Sequence, residues 1–320
     1  MSAALTVIEI TPNLPAALGP DLMAAVDLAK AEKAASTRKA YGTDFRLFKT
    51  WCDGKGVSSL PASPETVAAF LASESRTAKP ATLGRRVAAI RYAHKLAHLE
   101  TPTDSEAVKA TLRGIRRTFG GARVRKAPAI AAKMQSMVVM APDGLAGLRD
   151  RALLLLGFAG AFRRSELVAL DVADIEETET GLLVKIRRSK TDQEGEGTTI
   201  AIARGDIACP AKALQVWLDA AGIETGPIFR AINKAGTVAE ARLTDRSVAN
   251  IVKVYAKRAG FDASTFSGHS LRSGFLTSAA AKGASIFKMM DVSRHKSVET
   301  LRGYVRDAEL FKDHAGAGLL

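Results

Sequence analysis

The first third of the chain carries apolar residues at the spacing of amphipathic helices. In the segment STRKAYGTDFRLFKTWC, large apolar side chains recur every three or four residues, so they fall on one face of a helix. The stripe consists of Tyr41, Phe45, Phe48 and Cys52. We expect Thr37 to cap the start of this helix, because a threonine hydroxyl can accept a hydrogen bond from the first turn.

Further helices are indicated by capping residues and by the apolar patterns that follow them. SPETVAAFLA places Ser63 before Pro64, a capping residue followed by one that suits the first helical position. KPATLGRRVAAIRYAHKLAHL predicts another helix, and DSEAVKATLRGIRRTF begins with Asp104 or Ser105 as its cap. These patterns predict a compact helical domain over residues 21–119.

Two stretches outside this domain interrupt regular structure. Residues 1–20 contain three prolines and are expected to form a flexible arm. Residues 120–128 combine two glycines, a proline and several cations, which is typical of an exposed basic linker. Residues 109–126 contain seven basic residues and no acidic one, so phosphates can lie alongside them. A solvated linker without any ligand is the alternative.

The remaining residues, 129–320, predict a second domain with a tail. GLRDRALLLLGFAGAFRRSELVAL predicts one long helix, or two helices joined near Gly160. GLLVKIRRSKTDQEGEGTTIAIA alternates in its outer parts and predicts a β-hairpin or short meander. More helices are expected from Ala211, Thr244, Ser270, Ser285 and Val298. The fold class is therefore mostly α with a small antiparallel β-sheet.

The net charge of the chain indicates which kind of partner it binds. Lys and Arg number 46 against 33 Asp and Glu, which gives a net charge of +13 and a pI near 9.9. Such an excess favours a polyanion, above all a nucleic acid, although a merely basic protein would show the same balance. The two cysteines are far apart and indicate a reducing compartment without disulfides.

Membrane insertion and secretion find no support in the sequence. The first lysine is Lys30, so a basic signal-peptide region is missing from the start of the chain. The longest apolar run, 152–162, is too short to cross a bilayer. We therefore expect a cytoplasmic protein with no membrane partner.

Several polar residues of the second domain lie where burying them would cost free energy unless they are paired or functional. Arg163 and Glu166 follow directly on the apolar run and lie three residues apart, so they form either a helix-end ion pair or part of a site. Lys190 falls at the tip of the predicted hairpin, where most lysines are simply solvated.

Two more pairs lie further along the chain. His269 and Arg272 are separated by one helical turn, as a capping or packing pair would also be. His295 and Tyr304 are nine residues apart, which allows a turn and then a helix that returns the tyrosine towards the histidine. A half-buried core tyrosine is the alternative.

Taken in order, these residues resemble the catalytic set of the tyrosine recombinase (phage integrase) family. RDRALLLLGFAGAFRRSEL, GHSLRSGF and SRHKSVETLRGYV are similar to three boxes of that family, and the first part of the chain resembles its core-binding domain. The resemblance implies a helical core-binding domain and a mixed α/β catalytic domain in a Cre-like layout. Arg164, Ser273 and Arg294 depart from the family pattern, and we take them to argue against close kinship with the Xer resolvases.

The resemblance also implies roles for the catalytic residues. Tyr304 is expected to attack the scissile phosphate and to form a 3′-phosphotyrosyl bond. Arg163 and Arg272 are expected to hold its non-bridging oxygens, because guanidinium forks bind them in pairs. His269 is expected to take the tyrosine proton or to stabilise the phosphorane, and Glu166 to orient the cluster. His295 is expected to bind the phosphate, and Lys190 to protonate the leaving 5′ oxygen.

The implied activity is site-specific DNA cleavage and strand exchange without metal, ATP or any other cofactor. The expected partners are double-stranded DNA with an inverted-repeat target site and a homotetramer that assembles on two such sites. The C-terminal tail is expected to dock into a neighbouring protomer through Leu310, Phe311, Leu319 and Leu320, with a frayed terminus as the alternative. The candidate DNA-binding residues are Arg38, Lys39, Arg85, Arg86, Arg91, Arg116, Arg117, Arg123, Arg125 and Lys126.

Other functions remain open at the level of the sequence. A DNA-binding protein that has lost catalysis, a type IB topoisomerase and a hairpin telomere resolvase would share much of this pattern. His94 and His98 have a zinc-compatible spacing, but Lys95 stands where the HExxH motif has glutamate. A helix at the edge of the core or facing the DNA groove is the favoured interpretation of these two histidines.

Overall fold

The computed structural model describes residues 18–120, 126–187 and 197–308. Lys190, Arg123, Arg125 and the predicted tail anchors lie outside these residues. The chain divides into two compact units, Met1–Arg123 and Val124–Leu320. The domain limits given above, with the separate arm and linker, stay predictions.

The first unit is built from five α-helices and one short 3₁₀ helix, Pro102–Asp104, over its described residues. The α-helices are α1 (Gly19–Ala31), α2 (Ala35–Asp53), α3 (Pro64–Glu74), α4 (Pro80–Leu96) and α5 (Glu106–Phe119). Ser63 caps α3 by accepting a hydrogen bond from the Thr66 amide at 3.1 Å, as predicted. Ser105 caps α5. The expected cap at Thr37 is wrong, because α2 begins at Ala35 and the Thr37 amide already donates to the Ala34 carbonyl.

The core of this unit forms around the apolar stripe of α2. Phe48 and Cys52 are fully buried, and the Phe48 ring packs edge-on against Phe70 at 5.0 Å between centroids. His94 is also buried. Its Nε2 accepts from the Ala62 amide at 3.0 Å, so Nδ1 carries the proton that it donates to the Ile90 carbonyl. Both ring nitrogens are therefore used in packing, which contradicts the zinc alternative.

The second unit combines eight α-helices, two short 3₁₀ helices (Val172–Asp174 and Ala263–Thr265) and two small sheets over its described residues. The α-helices are α6 (Ala131–Val139), α7 (Leu145–Ala159), α8 (Arg164–Ala169), α9 (Pro210–Ala221), α10 (Asp245–Arg258), α11 (His269–Ala281), α12 (Ile286–Ser293) and α13 (Val298–Ala308). The strands are β1 (Ile175–Glu177), β2 (Gly181–Ile186), β3 (Thr198–Ala203), β4 (Arg230–Ile232) and β5 (Val238–Arg242). Helices α7 and α8 are separate and join near Gly160, the second of the two expected alternatives.

The larger sheet is antiparallel in the order β1-β2-β3, which is the short meander allowed by the alternating pattern. The pair β4-β5 was not predicted. Its strands are only three and five residues long and neither has a fully buried residue, so they are too short and too weakly buried to give a clear strand pattern.

The main core lies around α7, whose residues 152–157 are all buried. Close approach of the neighbouring helices depends on glycine. A Cβ on Gly157 would come within 3 Å of the Leu271 and Leu167 side chains, and a Cβ on Gly274 would meet the Ala129 carbonyl at 2.0 Å. The fold therefore brings α8 and α11 against the C-terminal end of α7.

A second, smaller core holds the last helices. Leu276, Ala280, Met289 and Leu301 are buried there, and Tyr304 packs at its edge. Across the described ranges, each helix is too short or too polar to cross a membrane.

Candidate active site

Arg163 and Glu166 meet at the start of α8. Arg163 is the residue before the helix, and its amide donates to Glu166 Oε2 at 2.8 Å. Its Nη1 donates to Glu166 Oε1 at 2.6 Å. The helix-end ion pair proposed from the sequence is thus present. It also holds the Arg163 guanidinium against a buried carboxylate. The two alternatives from the sequence, a helix-end ion pair and part of a site, are therefore compatible.

Glu166 receives a second guanidinium from a distant part of the chain. Arg294 Nη2 donates to Glu166 Oε2 at 2.8 Å. Burial acts to raise the pKa of Glu166, but the charges of Arg294 and Arg163 outweigh it and hold that pKa below its usual range. Glu166 is therefore ionised at neutral pH and bridges two arginines.

Arg272 lies in the first turn of α11 and is almost completely buried. Its Nη1 donates to the Ala161 carbonyl at 2.7 Å, which fixes one side of the guanidinium. Burial, followed by the charges of Arg163 and Arg294, lowers the pKa of Arg272 to about 9. The group remains charged at neutral pH, where its burial beside two other cations favours a bound anion.

His295 follows the C-terminus of α12 and stands against Arg272. Arg272 Nη2 lies 3.3 Å from Nδ1 and 3.2 Å from Nε2. The lone pairs of the two ring nitrogens point in opposite directions, so one N–H cannot bond both, and we interpret this contact as packing of the guanidinium against the imidazole. Burial and the charges of Arg272 and Arg163 lower the pKa of His295 to about 4, so the ring is neutral.

Ser293 contributes to the orientation of this ring. Its hydroxyl is buried and lies 2.8 Å from His295 Nδ1. If the hydroxyl donates to Nδ1, the proton of the neutral ring sits on Nε2. Nε2 then becomes a hydrogen-bond donor suited to a phosphate oxygen.

His269 and Tyr304 approach each other from α11 and α13. Tyr304 Oη lies 3.5 Å from His269 Nε2, at the long limit of a hydrogen bond. Burial and the charges of Arg272, Arg163 and Arg164 lower the pKa of His269, so this imidazole is also neutral. Tyr304 is half-buried at the edge of the small core, so the packing role and the approach to His269 coexist.

The fold thus gathers residues that are far apart in sequence. Arg163 pairs with Glu166, Arg272 contacts His295, and Tyr304 approaches His269. The charges of Arg163 and Arg272 act on both histidines, so these contacts belong to one site. Lys190 lies outside the described residues. Sequence reasoning gave Arg294 and Ser293 no part in the site. Arg294 could have been noticed from the sequence, because the family commonly has glycine at this position.

The proposed DNA-binding arginines of α4 have carboxylate partners within the first unit. Arg85 binds Asp44 through Nε at 2.6 Å and Nη2 at 3.1 Å. Arg86 pairs with Glu74 and lies over the Phe70 ring. These contacts give both side chains a role in packing, and a role in DNA binding remains a prediction.

The other candidates differ in what they contact. Arg91 pairs with Asp104 at 2.6 Å, and Lys126 donates to the Ser264 carbonyl at 2.6 Å. Four further candidates, Arg38, Lys39, Arg116 and Arg117, are exposed. These four keep the position expected of phosphate contacts.

Comparisons with known proteins identify the family of the chain. Residues 130–310, more than half of the chain, match the model of the phage integrase family. The chain therefore belongs to the phage integrase family, the tyrosine recombinases.

Two relatives extend over almost the whole chain. It is 41% identical to the integrase/recombinase xerD homolog of Selenomonas ruminantium, over 88% of this chain and 85% of that protein. It is 26% identical to recombinase cre of Escherichia phage P1, over 97% and 96% of the two chains. The first identity exceeds the second, so the departures at Arg164, Ser273 and Arg294 do not separate this chain from Xer-like proteins as expected.

Solved structures share the fold. A lambda integrase(75–356) dimer bound to a COC′ core site gives a TM-score of 0.60 at 18% identity, covering 88% of this chain and 92% of that one. XerH recombinase bound to a palindromic difH substrate gives 0.59 at 15% identity, covering 81% and 72%. The predicted fold class is confirmed.

Proposed function

We propose that this protein cleaves and rejoins DNA at specific sites through a covalent bond between Tyr304 and a 3′ phosphate. The observation that carries the proposal is the charge balance of the site. Arg163, Arg272 and Arg294 surround Glu166, the one carboxylate hydrogen-bonded to any of them over the described ranges. A phosphodiester supplies one negative charge, and attack on its phosphorus builds a second.

Arg163 and Arg272 are the groups we assign to the non-bridging oxygens. Guanidinium forks hold two oxygens in a fixed plane, which a lysine does not. Both are held in place before DNA arrives, Arg163 by Glu166 and Arg272 by the Ala161 carbonyl. Such preorganised donors are worth about 3–4 kcal/mol each in the transition state. The neutral His295 adds a donor through Nε2.

Proton transfer is assigned to two further residues. Neutral His269 accepts the phenolic proton as Tyr304 Oη forms its bond to phosphorus. The bond from phosphorus to the 5′ oxygen breaks, and this oxygen takes a proton from Lys190 by the role that family membership implies. The products are a 3′-phosphotyrosyl bond and a free 5′-hydroxyl. Attack by the 5′-hydroxyl of another duplex reverses these steps, so the chemistry consumes no ATP.

The comparisons support the assignment of DNA as the partner. The lambda integrase neighbour is a dimer on a core site, and the XerH neighbour was solved on a palindromic substrate. We infer an inverted-repeat target, assembly of a homotetramer on two sites, docking of the C-terminal tail between protomers, and a location in the cytoplasm where DNA is accessible.

A covalent-capture assay with randomised DNA tests the proposed function. The protein is incubated with labelled duplexes that carry a nick and randomised arms, and covalent complexes are isolated and sequenced. We expect wild type to trap a defined sequence and Tyr304→Phe to trap none. Trapping by Tyr304→Phe would show that another residue is the nucleophile.

The same captured duplex separates recombination from the related reactions. Exchange between two captured sites supports a recombinase. Relaxation of a supercoiled plasmid without a partner site would indicate a topoisomerase, and hairpin ends would indicate a telomere resolvase. Sequence-selective binding with no covalent complex would indicate a binding protein that has lost catalysis.

A further inference from the structure

Arg294 occupies a backbone conformation that side chains seldom adopt. It ends α12 with φ 57° and ψ 38°, in the left-handed region where glycine is favoured. Its amide donates to the Met290 carbonyl at 2.6 Å, which closes the helix and turns the chain towards His295. An arginine in this position is strained, so its side chain must contribute something that glycine cannot.

The guanidinium of Arg294 is buried among Arg163, Glu166, Arg272 and His295, which together are called the catalytic cluster. It lies over the Phe162 ring, 5.2 Å from the ring centre. Beyond its bond to Glu166, Nη1 donates to the Gly160 carbonyl at 3.1 Å and Nη2 to the Ala161 carbonyl at 3.2 Å. All three acceptors belong to the segment that joins α7 to α8 or to the first turn of α8.

These contacts connect two segments that carry different site residues. The α7–α8 segment carries Arg163, and the end of α12 carries His295. Nη1 of Arg294 also donates to the Val292 carbonyl at 2.5 Å, which ties the guanidinium to its own helix end. The Ala161 carbonyl is shared with Arg272, so one buried acceptor holds two arginines.

We propose that Arg294 is a positioning residue of the reaction, which locks the Arg163–Glu166 pair and the His295 turn in one arrangement around the scissile phosphate. The proposal rests on the proposed function, because its readout is covalent capture of DNA. Arg294 acts through Glu166 and the backbone carbonyls and does not itself touch the phosphate. Arg294 binds Oε2 of Glu166, so the Arg163 guanidinium binds only Oε1, through Nη1. The other N–H groups of that guanidinium are then left to bind DNA.

The test uses the duplex captured by wild type and measures single-turnover cleavage separately from DNA affinity. Arg294→Gly keeps the left-handed backbone but removes the guanidinium. We expect the cleavage rate to fall about 10²-fold, as for a misplacement of catalytic groups by about 1 Å, with affinity changed less than about threefold. Arg294→Lys keeps the charge without the fork, and we expect an intermediate rate.

Arg204→Gly is the matched control. Arg204 also pairs with one carboxylate, Glu177, and donates to two carbonyls, those of Thr178 and Glu179. It lies directly after β3, outside the cluster. We expect Arg204→Gly to cleave at the wild-type rate, and thermal unfolding of each variant verifies that the protein assayed is folded.

Two further measurements distinguish positioning from general structural loss. Guanidinium ion added to Arg294→Gly is expected to restore cleavage, whereas sodium chloride at equal ionic strength is not. In a Glu166→Gln background, Arg294→Gly is expected to cost much less than in wild type, because the two residues act as a unit. Wild-type cleavage by Arg294→Gly, full additivity with Glu166→Gln, or an equal loss in Arg204→Gly would overturn the proposal. Absence of any Tyr304-dependent complex with wild type would instead overturn the proposed function.

Discussion

The arginines of the helical unit and those of the catalytic cluster are paired in different ways. In the first unit each of three arginines of α4 has its own carboxylate: Arg85 binds Asp44, Arg86 binds Glu74 and Arg91 binds Asp104. In the cluster, Glu166 is shared by Arg163 and Arg294, and Arg272 binds a backbone carbonyl and packs on His295. The first set is neutral, and the second has an excess of positive charge.

The difference predicts which cations are available to DNA. An arginine whose charge is already balanced gains little from a phosphate, since the carboxylate must first be displaced. Buried cations in excess raise the free energy of the unbound protein, because burial of charge is costly without a counter-charge. The pKa of Arg272 is lowered because its buried positive charge carries this cost. We expect a phosphate that enters the cluster to offset this cost, because it supplies negative charge.

The largest effect is expected from Arg272→Ala. The variant loses a donor that is fixed before DNA binds, so single-turnover cleavage should fall by about 10²–10³-fold. Arg272→Lys should recover only part of this loss, because an ammonium group lacks the planar fork. Rates within about threefold of wild type for either variant would mean that Arg272 is structural.

Glu166→Gln is expected to lower the free energy of unfolding. The amide keeps the shape of the side chain but leaves two arginines without a counter-charge, and breaking a buried ion pair costs about 3–5 kcal/mol. Urea unfolding at neutral pH measures this loss. Asp245→Asn is a suitable control, because its contact with Arg164 is 3.6 Å long and partly exposed. Equal stability of Glu166→Gln and wild type would show that the cluster tolerates the extra charge.

Acid is expected to weaken the catalytic unit through its two neutral histidines. The folded protein lowers the pKa of His295 to about 4 from the usual 6.5, and it also lowers the pKa of His269. The unfolded chain therefore binds protons first as the pH falls below about 6.5. His295 should remove up to about 1.4 kcal/mol of stability per pH unit until its folded pKa is reached, and His269, which is more exposed, should contribute less.

Unfolding in urea at a series of pH values measures this slope. His295→Phe removes one of the two titrating groups, and the slope should become shallower below pH 6.5. Cleavage by wild type should also decline in acid, once His269 is protonated and no longer accepts the tyrosine proton. Stability that is constant from neutral pH to about pH 4 would contradict the neutral state of both rings.

The smallest effects are expected in the helical unit. Arg117→Ala removes an exposed cation, so the slope of log affinity against log salt should decrease in magnitude by about 0.9. Arg86→Gln removes a cation that is already paired and packed on Phe70, and it should leave that slope unchanged. Binding assays across a salt series measure both slopes. A reduced slope for Arg86→Gln would show that this arginine contacts DNA.

Local patterns in the sequence predicted the fold class and pointed to the residues of the candidate site. Ser63 and Ser105 cap the expected helices, and the order of polar residues from Arg163 to Tyr304 was enough to indicate the family. These features depend on neighbours a few residues apart, which periodicity and spacing reveal.

Pairing across the fold was not predictable in the same way. Arg85 meets Asp44 across 41 residues, and Arg294 meets Glu166 across 128. Which cation finds a carboxylate depends on helix packing, and no local pattern encodes that distance. The sequence therefore marked the arginines of α4 as DNA ligands with the same weight as the exposed Arg116 and Arg117, and it gave Arg294 no role.

The central claim is that the excess positive charge of the cluster is matched by the scissile phosphate. A methylphosphonate at the cleavage position removes the negative charge of that phosphate while keeping the duplex sequence. On this uncharged substrate, we predict that Arg272→Ala cleaves within about tenfold of wild type, against a loss of about 10²–10³-fold on the normal phosphate. An equally large loss on both substrates would contradict the account, because Arg272 would then act without reference to phosphate charge.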